Sequence, residues 1–159
     1  MNYKNGIDPK NIVASFSPSR IYGFLKVSPL LLISIVLMLL AVFYHPVLIF
    51  ISIITSFVAW FKYLTILFIK YTLTTETLTV RTGIIARKFN NLELYRVKDY
   101  VVTQSVIERV FKLMTVTLIS TDTSSPEIRL VGIPLSDITE TIRDLVQQTR
   151  NNNKIFEIN

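Results

Sequence analysis

The longest uncharged stretch of the chain runs from Val27 to Phe61, and His45-Pro46 interrupts it near its middle. As one helix this stretch would be roughly 52 Å long at 1.5 Å per residue, whereas the hydrocarbon core of a bilayer is about 30 Å thick. Proline lacks a backbone N–H and moves the residue before it away from the helical conformation. The sequence therefore predicts a transmembrane helical hairpin within residues 18–70. We expect its spans at about 24–44 and 46–69, with the turn at His45-Pro46.

Two other interpretations of this stretch are weaker. A secretory signal would show one apolar run of about 7–15 residues, and here two long runs start late. A pair of buried helices in a soluble core would carry polar residues on one face. The second run has only Ser52, Thr55 and Ser56, which can pack against the first helix or hydrogen-bond their own backbone. No acid, Lys or Arg lies in the middle of either run, so the hairpin is predicted to be an anchor rather than an ion pathway.

The basic charge is concentrated around the predicted spans. The formal net charge is +6, while residues 71–159 carry 11 basic and 10 acidic side chains. By the positive-inside rule, both termini are expected in the cytoplasm and His45-Pro46 outside. A nucleic-acid-binding protein would carry the excess on its soluble domain, so no nucleic-acid partner is expected. The residues expected at the membrane interface are Arg20, Lys26, Tyr44, Trp60 and Lys62.

Residue types that carry catalysis are scarce. There is no cysteine, and His45, the single histidine, lies at the predicted external turn. A Ser-His-Asp triad or an HExxH metal site is therefore excluded on the cytoplasmic side. The four glycines do not have dinucleotide-binding or P-loop spacing. We expect no enzymatic activity, no metal and no cofactor.

After the hairpin the hydrophobic pattern changes to a period of two, which is typical of β-strands. Strands are predicted at 71–74, 77–81, 84–89, 92–94, 97–103, 114–119 and 127–133. Residues 105–113 change period, and Ser105 with Glu108 forms a capping box, which predicts a short helix.

A C-terminal amphipathic helix is predicted from a stripe of Leu135, Ile138, Ile142, Leu145 and Val146, with Ser136 as its cap. Leu78, Val80, Val116, Leu118, Ile138 and Ile142 are expected in the core. At the other end, Ser17 is the predicted N-cap of the first span, with Pro18 at the first helical position. The predicted divisions are an N-terminal segment (1–17), the hairpin (18–70), a cytoplasmic domain (71–150) and a tail (151–159).

Several segments of this chain resemble the bacterial pleckstrin-homology-like (PH-like) membrane proteins, over most of residues 18–149. The matching features are Tyr71-x-Leu73-Thr74, the Arg81-x-Gly83 turn with Ile85 and Arg87, residues 92–97, and Gln104-Ser105-x-Ile107 leading through Arg109 and Phe111 into a strand. Glu93 departs from the family's usual proline, and Lys112-Leu113 replaces the glycine that usually ends the short helix. The resemblance implies a multi-pass α+β protein of the bacterial cytoplasmic (inner or plasma) membrane. In it, the hairpin precedes a PH-like antiparallel β-barrel or sandwich capped by a C-terminal α-helix.

The resemblance suggests two functions. The first is a membrane-anchored interaction or scaffold module that assembles into a homo-oligomer or with a membrane protein partner. The second is a lipid-binding or envelope-stress and membrane-protection protein that uses a basic hairpin at the inner leaflet, with membrane lipids as its partners. The headgroup candidates are Lys70, Arg81, Arg87 and Lys88. The alternative for these cations is the ordinary solvated face of a hairpin.

Overall fold

The structure, a computed structural model, describes residues 11–122 and 125–152. The predicted helical hairpin is present as α1 (Arg20–Phe43) and α2 (Val47–Leu67). Both helices are long and apolar enough to cross a membrane. The connection lies at His45-Pro46, where the His45 Nδ1 accepts a hydrogen bond of 3.3 Å from the backbone N–H of Val47. The prediction of a turn at this dipeptide, rather than a kink in one helix, is confirmed.

Small and hydroxylated residues hold the two helices together. The Ser34 hydroxyl lies 3.0 Å from the carbonyl oxygen of Ser52, and the Ser52 hydroxyl lies 2.8 Å from the carbonyl oxygen of Ser34. Near the other end, a Cβ on Gly23 would lie 3.1 Å from the Tyr63 ring, so glycine permits this close approach. Ser52 thus packs against the first helix, which is one of the two roles that the sequence allowed for the polar residues of α2. Thr55 follows the other alternative and donates to the carbonyl of Ile51 at 2.8 Å.

The start of α1 differs from the prediction. Ser19, not Ser17, is the N-cap, and its Oγ accepts a hydrogen bond of 3.3 Å from the N–H of Ile21. The reason is tertiary: the Ser19 N–H donates to the carbonyl of Gly132 at 2.8 Å, which holds the chain extended before the helix begins.

Pro29 lies inside α1 without ending it. Its ring nitrogen cannot donate to the carbonyl of Leu25, four residues earlier. The hydroxyl of Ser28 donates to that carbonyl instead, at 2.9 Å. This exchange keeps the backbone polar group satisfied in an apolar helix.

The strands form two antiparallel sheets rather than a closed barrel. The first sheet has the order β1 (Ile12–Phe16), β2 (Lys70–Thr74), β3 (Thr77–Thr82) and β4 (Lys88–Glu93). A 3₁₀ turn at Leu94–Arg96 leads into the second sheet, which has the order β5 (Val97–Thr103), β6 (Leu113–Ser120) and β7 (Glu127–Pro134). Buried residues of both sheets form one core, so the sandwich-like form of the predicted architecture is the one observed.

Two strand predictions need correction. Residues 84–87 are a loop, and the strand predicted at 84–89 begins only at Lys88. Gly83 adopts φ 100°, and a Cβ there would overlap the carbonyl oxygen of Ala86, so the chain turns tightly instead of pairing at once. The strand predicted at 92–94 is the end of β4, because Leu94 already starts the 3₁₀ turn. β1 was not predicted at all.

The short helix α3 (Val106–Val110) follows the predicted capping box: Ser105 Oγ accepts from the Glu108 N–H, and a Glu108 carboxylate oxygen accepts from the Ser105 N–H. Lys112 has φ 51°, the left-handed conformation that glycine adopts at little cost. The lysine therefore occupies the backbone conformation for which the family's usual glycine is suited.

The C-terminal helix α4 (Ile138–Asn152) packs on the core through Ile142 and Leu145. Five of the six predicted core residues are buried, and Ile138 is half-buried. Leu135 is 58% exposed and precedes the helix, so including it in the apolar stripe was wrong. Ser136 does not cap α4 in the predicted way; its hydroxyl donates to the Pro134 carbonyl at 3.3 Å. Asn151 and Asn152 continue α4, while the predicted tail beyond them and residues 1–10 lie outside the described residues.

Candidate functional site

β2 follows α2 almost directly, with only Phe68 and Ile69 between them. Its first residue, Lys70, pairs in register with Arg81 of β3. Two like charges at directly opposed positions of an antiparallel ladder repel each other and destabilise the pair. The sheet therefore begins, beside the last turn of α2, with an electrostatic conflict.

Lys70 and Arg81 line a cavity of about 490 Å³ between the end of α2, the start of β2 and the end of β3. Arg87 reaches the same cavity from the loop 83–87, and none of the described residues that line it is acidic. The lining is completed by Ser15, Phe16, Ser17, Leu67, Phe68, Ile69, Gly83 and Ile84. Three of the four headgroup candidates are thus brought together. Lys88 is not among the lining residues; it is exposed and pairs with Thr82.

Within residues 11–122 and 125–152, no observed ion pair involves a cation that lines this cavity. Arg81 is held instead by Phe89, its cross-strand partner, whose ring centroid is 5.7 Å from the guanidinium carbon. A cation–π contact of this kind positions the guanidinium without cancelling its charge.

The loop 83–87 presents an apolar tip next to these cations. Ile85 is 88% exposed, and Arg87 and Lys88 follow it after Ala86. An apolar side chain close to basic ones suits the boundary between hydrocarbon and anionic headgroups, where each side chain finds a favourable environment.

The predicted interface residues lie mostly at one level of the hairpin. The contacts Gly23–Tyr63 and Ser34–Ser52 fix the register of the antiparallel helices. In this register Lys26 of α1 lies at the same height along the hairpin as Trp60 of α2, and Lys62 is two residues further along α2. Arg20, the first residue of α1, lies farther from the turn. Tyr44 lies at the opposite end, beside the turn, and is 79% exposed.

One polar contact between the sheets was not predicted. The Tyr71 hydroxyl, next to Lys70, accepts a hydrogen bond of 3.0 Å from the backbone N–H of Val131 in β7. Burial raises the pKa of Tyr71 to about 12. This contact fixes β2 against the second sheet, and so fixes the position of Lys70. The alternating pattern identified Tyr71 as a strand residue but gave no sign of its partner.

In the described part of the chain, no cluster of three His, Asp or Glu side chains has an arrangement that would hold a metal ion.

The comparisons with known proteins agree with this architecture. The family described as Bacterial PH domain matches residues 17–150, a range that includes both apolar helices, every strand from β2 to β7, and α4 except its last two residues. Neither the curated proteins nor the solved structures give a match to this chain. The resemblance drawn from the sequence is confirmed, and the chain belongs to the bacterial PH domain family.

Proposed function

We propose that α1 and α2 anchor this protein in the bacterial cytoplasmic membrane and that its PH domain binds anionic lipid headgroups in the cavity of Lys70, Arg81 and Arg87. The observation that carries the proposal is the direct pairing of Lys70 with Arg81 beside Arg87, without an acidic partner among the described lining residues. A bound phosphate would relieve this repulsion and accept charge-assisted hydrogen bonds from all three side chains.

The pairing of β1 with β2 supports a hairpin topology. Phe16, just before the hairpin, pairs with Tyr71, just after it. Strands that share a ladder lie on the same side of a membrane, so both ends of the hairpin emerge together. The positive charges at Arg20, Lys26 and Lys62 favour the cytoplasm for that side. A reporter fused after Asn159 should then be active in the cytoplasm and one inserted at His45-Pro46 outside; signals from the same compartment would contradict the topology.

The length of the hairpin places the cavity near the headgroups. From Lys26 to Tyr44 the helix rises about 27 Å, close to the thickness of a bilayer core of about 30 Å. Lys26, Trp60 and Lys62 then lie at the boundary of the hydrocarbon. The first turn of α1 and the last turn of α2 pass through the headgroup layer, and the cavity opens beside that last turn.

The test is lipid retention by the full chain. Each cation near an anionic surface contributes about 1 kcal/mol, so Arg81→Gln/Arg87→Gln should weaken the retention of anionic lipid by about 30-fold. The chain would be purified from liposomes that contain phosphatidylglycerol and phosphatidylcholine, and its bound lipids would be counted by native mass spectrometry. Phosphatidylcholine should be retained equally by the parent and the variant.

The matched control is Lys98→Gln/Arg143→Gln, which removes the same charge from exposed positions on β5 and α4. It should retain anionic lipid as the parent does. Equal losses in both double variants would show a diffuse charge effect rather than a site, and undiminished retention in Arg81→Gln/Arg87→Gln would refute headgroup binding in the cavity.

A second candidate function is that of an interaction module that assembles into a homo-oligomer. It is favoured by a groove of about 260 Å³ along the hairpin, in which the exposed Ser56 lies among Phe24, Leu31 and Trp60. Small residues let another helix approach closely in a membrane, and tethering in one bilayer raises the effective concentration to the millimolar range. Cross-linking in intact membranes at low expression should trap a dimer, and Ser56→Phe should abolish it by filling the groove. A purely monomeric pattern for the parent would eliminate this function.

A further inference from the structure

The apolar face of α3 lies on the surface instead of in the core. Val106 is 82% exposed, Val110 is 72% exposed, and none of the residues of this described helix is buried. With Ile107 and Phe111, which are 55% and 44% exposed, they follow the i, i+4 spacing of one helical face. Leu135, whose N–H donates to the carbonyl of Lys112 at 2.8 Å, adds an exposed apolar side chain next to this face.

The helix is fixed in this orientation by polar contacts on its opposite side. Glu108, its single acidic residue, accepts hydrogen bonds from the Ser105 N–H at 2.8 Å and from the Thr115 hydroxyl at 2.9 Å. Burial raises the pKa of Glu108, but these hydrogen bonds and the charge of Lys26 together bring it below its ordinary value. The Gln104 side-chain amide also donates to the Leu113 carbonyl at 2.7 Å. The acid is thus turned inward and the apolar side chains outward, in a rigid arrangement.

α3 lies beside α1 at the level of the membrane boundary. A cavity of about 380 Å³ separates Tyr22, Leu25 and Lys26 of α1 from Ser105, Ile107 and Glu108. Lys26 lies level with Trp60 in the hairpin register, so α3 is placed where the lipid-facing surface of the spans begins. The exposed apolar face of α3 therefore lies at the same level as the edge of the lipid-facing surface of α1 and α2.

The charges around α3 suit a lipid surface. Arg109 and Lys112 are exposed next to the apolar face, and Lys26 faces the helix from α1. Apolar side chains with flanking cations are the composition of interfacial helices that bind anionic membranes. A soluble protein partner would require no such alignment with Lys26 and Trp60.

We propose that the face of Val106, Ile107, Val110 and Phe111 lies in the bilayer interface, as a membrane contact of the PH domain separate from the two spans. This inference rests on the membrane crossing proposed above and is independent of headgroup binding in the cavity. It fixes the orientation of the domain: the α3 end of the second sheet is held against the membrane together with the start of β2.

Because the chain has no cysteine, single labels test this directly. Val110→Cys, Ile35→Cys on the lipid-facing side of α1 and Glu76→Cys at the distal β2–β3 turn would each carry a polarity-sensitive fluorophore in proteoliposomes of anionic lipid. Nitroxide lipids with the quencher near the headgroup end of the acyl chains report contact at the interface, and lipids with the quencher near the end of the acyl chains report contact at the bilayer centre, where Ile35 lies. All three positions are exposed, and matched melting curves would confirm intact folding.

We expect the label at Val110 to be shifted to the blue and quenched by the lipid with its nitroxide near the headgroup end. The label at Ile35 should be shifted and quenched by the lipid with its nitroxide near the end of the acyl chains, and the label at Glu76 should be neither shifted nor quenched. A water-like, unquenched signal at Val110 beside a quenched Ile35 would overturn the inference and leave the membrane crossing intact. A blue shift without quenching would assign the face to a second copy or another protein and overturn it equally. If Ile35 is also unquenched, the crossing itself fails and the inference falls with it.

Discussion

The β2–β3 hairpin has two ends of opposite character. At the end beside α2, Lys70 opposes Arg81, and no acidic partner among the described residues neutralises either. At the turn, about 16 Å away along the strand, a second cavity of about 410 Å³ is lined by Thr75, Glu76, Thr77, Glu93, Tyr95, Gln148 and Thr149. There Glu93 pairs with Arg96 at 2.8 Å. A cavity of similar size thus occurs at both ends: the one beside α2 is lined by cations that form no ion pair among the described residues, whereas at the turn Glu93 of the lining is paired with Arg96.

Several polar groups of the distal end have partners within the protein. The Thr74 hydroxyl lies 2.9 Å from the N–H of Thr77, which donates to it, and α4 approaches through Thr149, whose hydroxyl lies 3.1 Å from the Thr75 carbonyl. The Tyr95 hydroxyl and then the Glu93 carboxylate raise the pKa of Arg96 above its ordinary value. Where side chains are paired within the protein, as Glu93 is with Arg96, they stabilise the fold. Where charges of one sign are brought together, as at Lys70 and Arg81, the site is suited to a ligand of the opposite charge.

The largest effect should come from the core that joins both ends. Ile142→Ala removes a side chain that is 1% exposed and should lower the free energy of unfolding by about 2–5 kcal/mol. Denaturant unfolding in mild detergent, followed by near-ultraviolet circular dichroism, would measure it. The exposed Gln147 on the same helix supplies the control, because Gln147→Ala should unfold like the parent. If Ile142→Ala and Gln147→Ala unfold alike, then α4 does not stabilise the sandwich, and the core does not join the two ends of the β2–β3 hairpin.

A smaller decrease in the free energy of unfolding is expected from Tyr71→Phe, at the end of the hairpin beside α2. This change leaves the Val131 N–H without its acceptor. An unsatisfied buried donor costs about 1–3 kcal/mol.

The Tyr71→Phe variant should also change how the stability of the fold depends on pH. Since the pKa of Tyr71 is about 12 in the folded state, against 10.0 for a tyrosine exposed to water, the unfolded state loses this proton first. The stabilisation is therefore complete below pH 10 and is lost as the pH rises toward 12.

Melting curves across that pH range would show the effect. The parent should lose stability more steeply than Tyr71→Phe, and Tyr44→Phe at the exposed turn should keep the parent's slope. Parallel curves for the parent and Tyr71→Phe would mean that the hydroxyl is not buried in the folded protein.

The next prediction tests the repulsion itself. Lys70→Gln removes one of two opposed like charges, so in a detergent without anionic lipid the melting temperature should stay the same or rise slightly. Added phosphatidylglycerol should stabilise the parent more than the variant, because a ligand that binds the folded state raises stability by mass action. A clear loss of stability without lipid would show that Lys70 has a partner in the fold and would remove the contrast between the ends.

The smallest effect belongs to the distal pair. Glu93→Gln should lower the melting temperature slightly, and salt should shrink the difference from the parent, since exposed ion pairs are weak and screened. Its response to phosphatidylglycerol should match that of the parent. A lipid-dependent change would mean that the distal end also contributes to lipid binding.

The hairpin and most strands were predictable because long apolar runs and strict alternation are strong local signals. β1 was not predicted because it forms only by pairing with β2, which the helical hairpin brings back beside it. The local sequence pattern of residues 12–16 does not show this long-range pairing. Residues 84–87 were assigned to a strand because Ile84 and Ile85 favour extended structure, but the turn at Gly83 overrides them.

The candidate site was predictable in part. The turn at Thr75-Glu76 already implies that Lys70 lies opposite Arg81, so their meeting follows from the sequence once the turn is known. The approach of Arg87 depends on the loop geometry, and the walls at Ser15, Ser17 and Leu67 come from distant parts of the chain. The helical pattern of 105–113 predicted α3, but it did not reveal that the apolar face points outward.

If the protein crosses the membrane as proposed, the β1–β2 ladder couples folding of the first sheet to correct insertion of the hairpin. During synthesis β1 emerges first and stays without its partner until residues 17–69 have followed. If the hairpin crosses the membrane as proposed, its correct insertion brings the two strands within the spacing of adjacent helices, about 8–10 Å, and so removes most of the entropy cost of closing so long a loop. A chain in which one span inserts wrongly keeps β1 and β2 on opposite sides of the bilayer. Such a chain cannot complete its first sheet and exposes the edge of β2, so an error of topology becomes visible to cellular proteases as an unfolded domain.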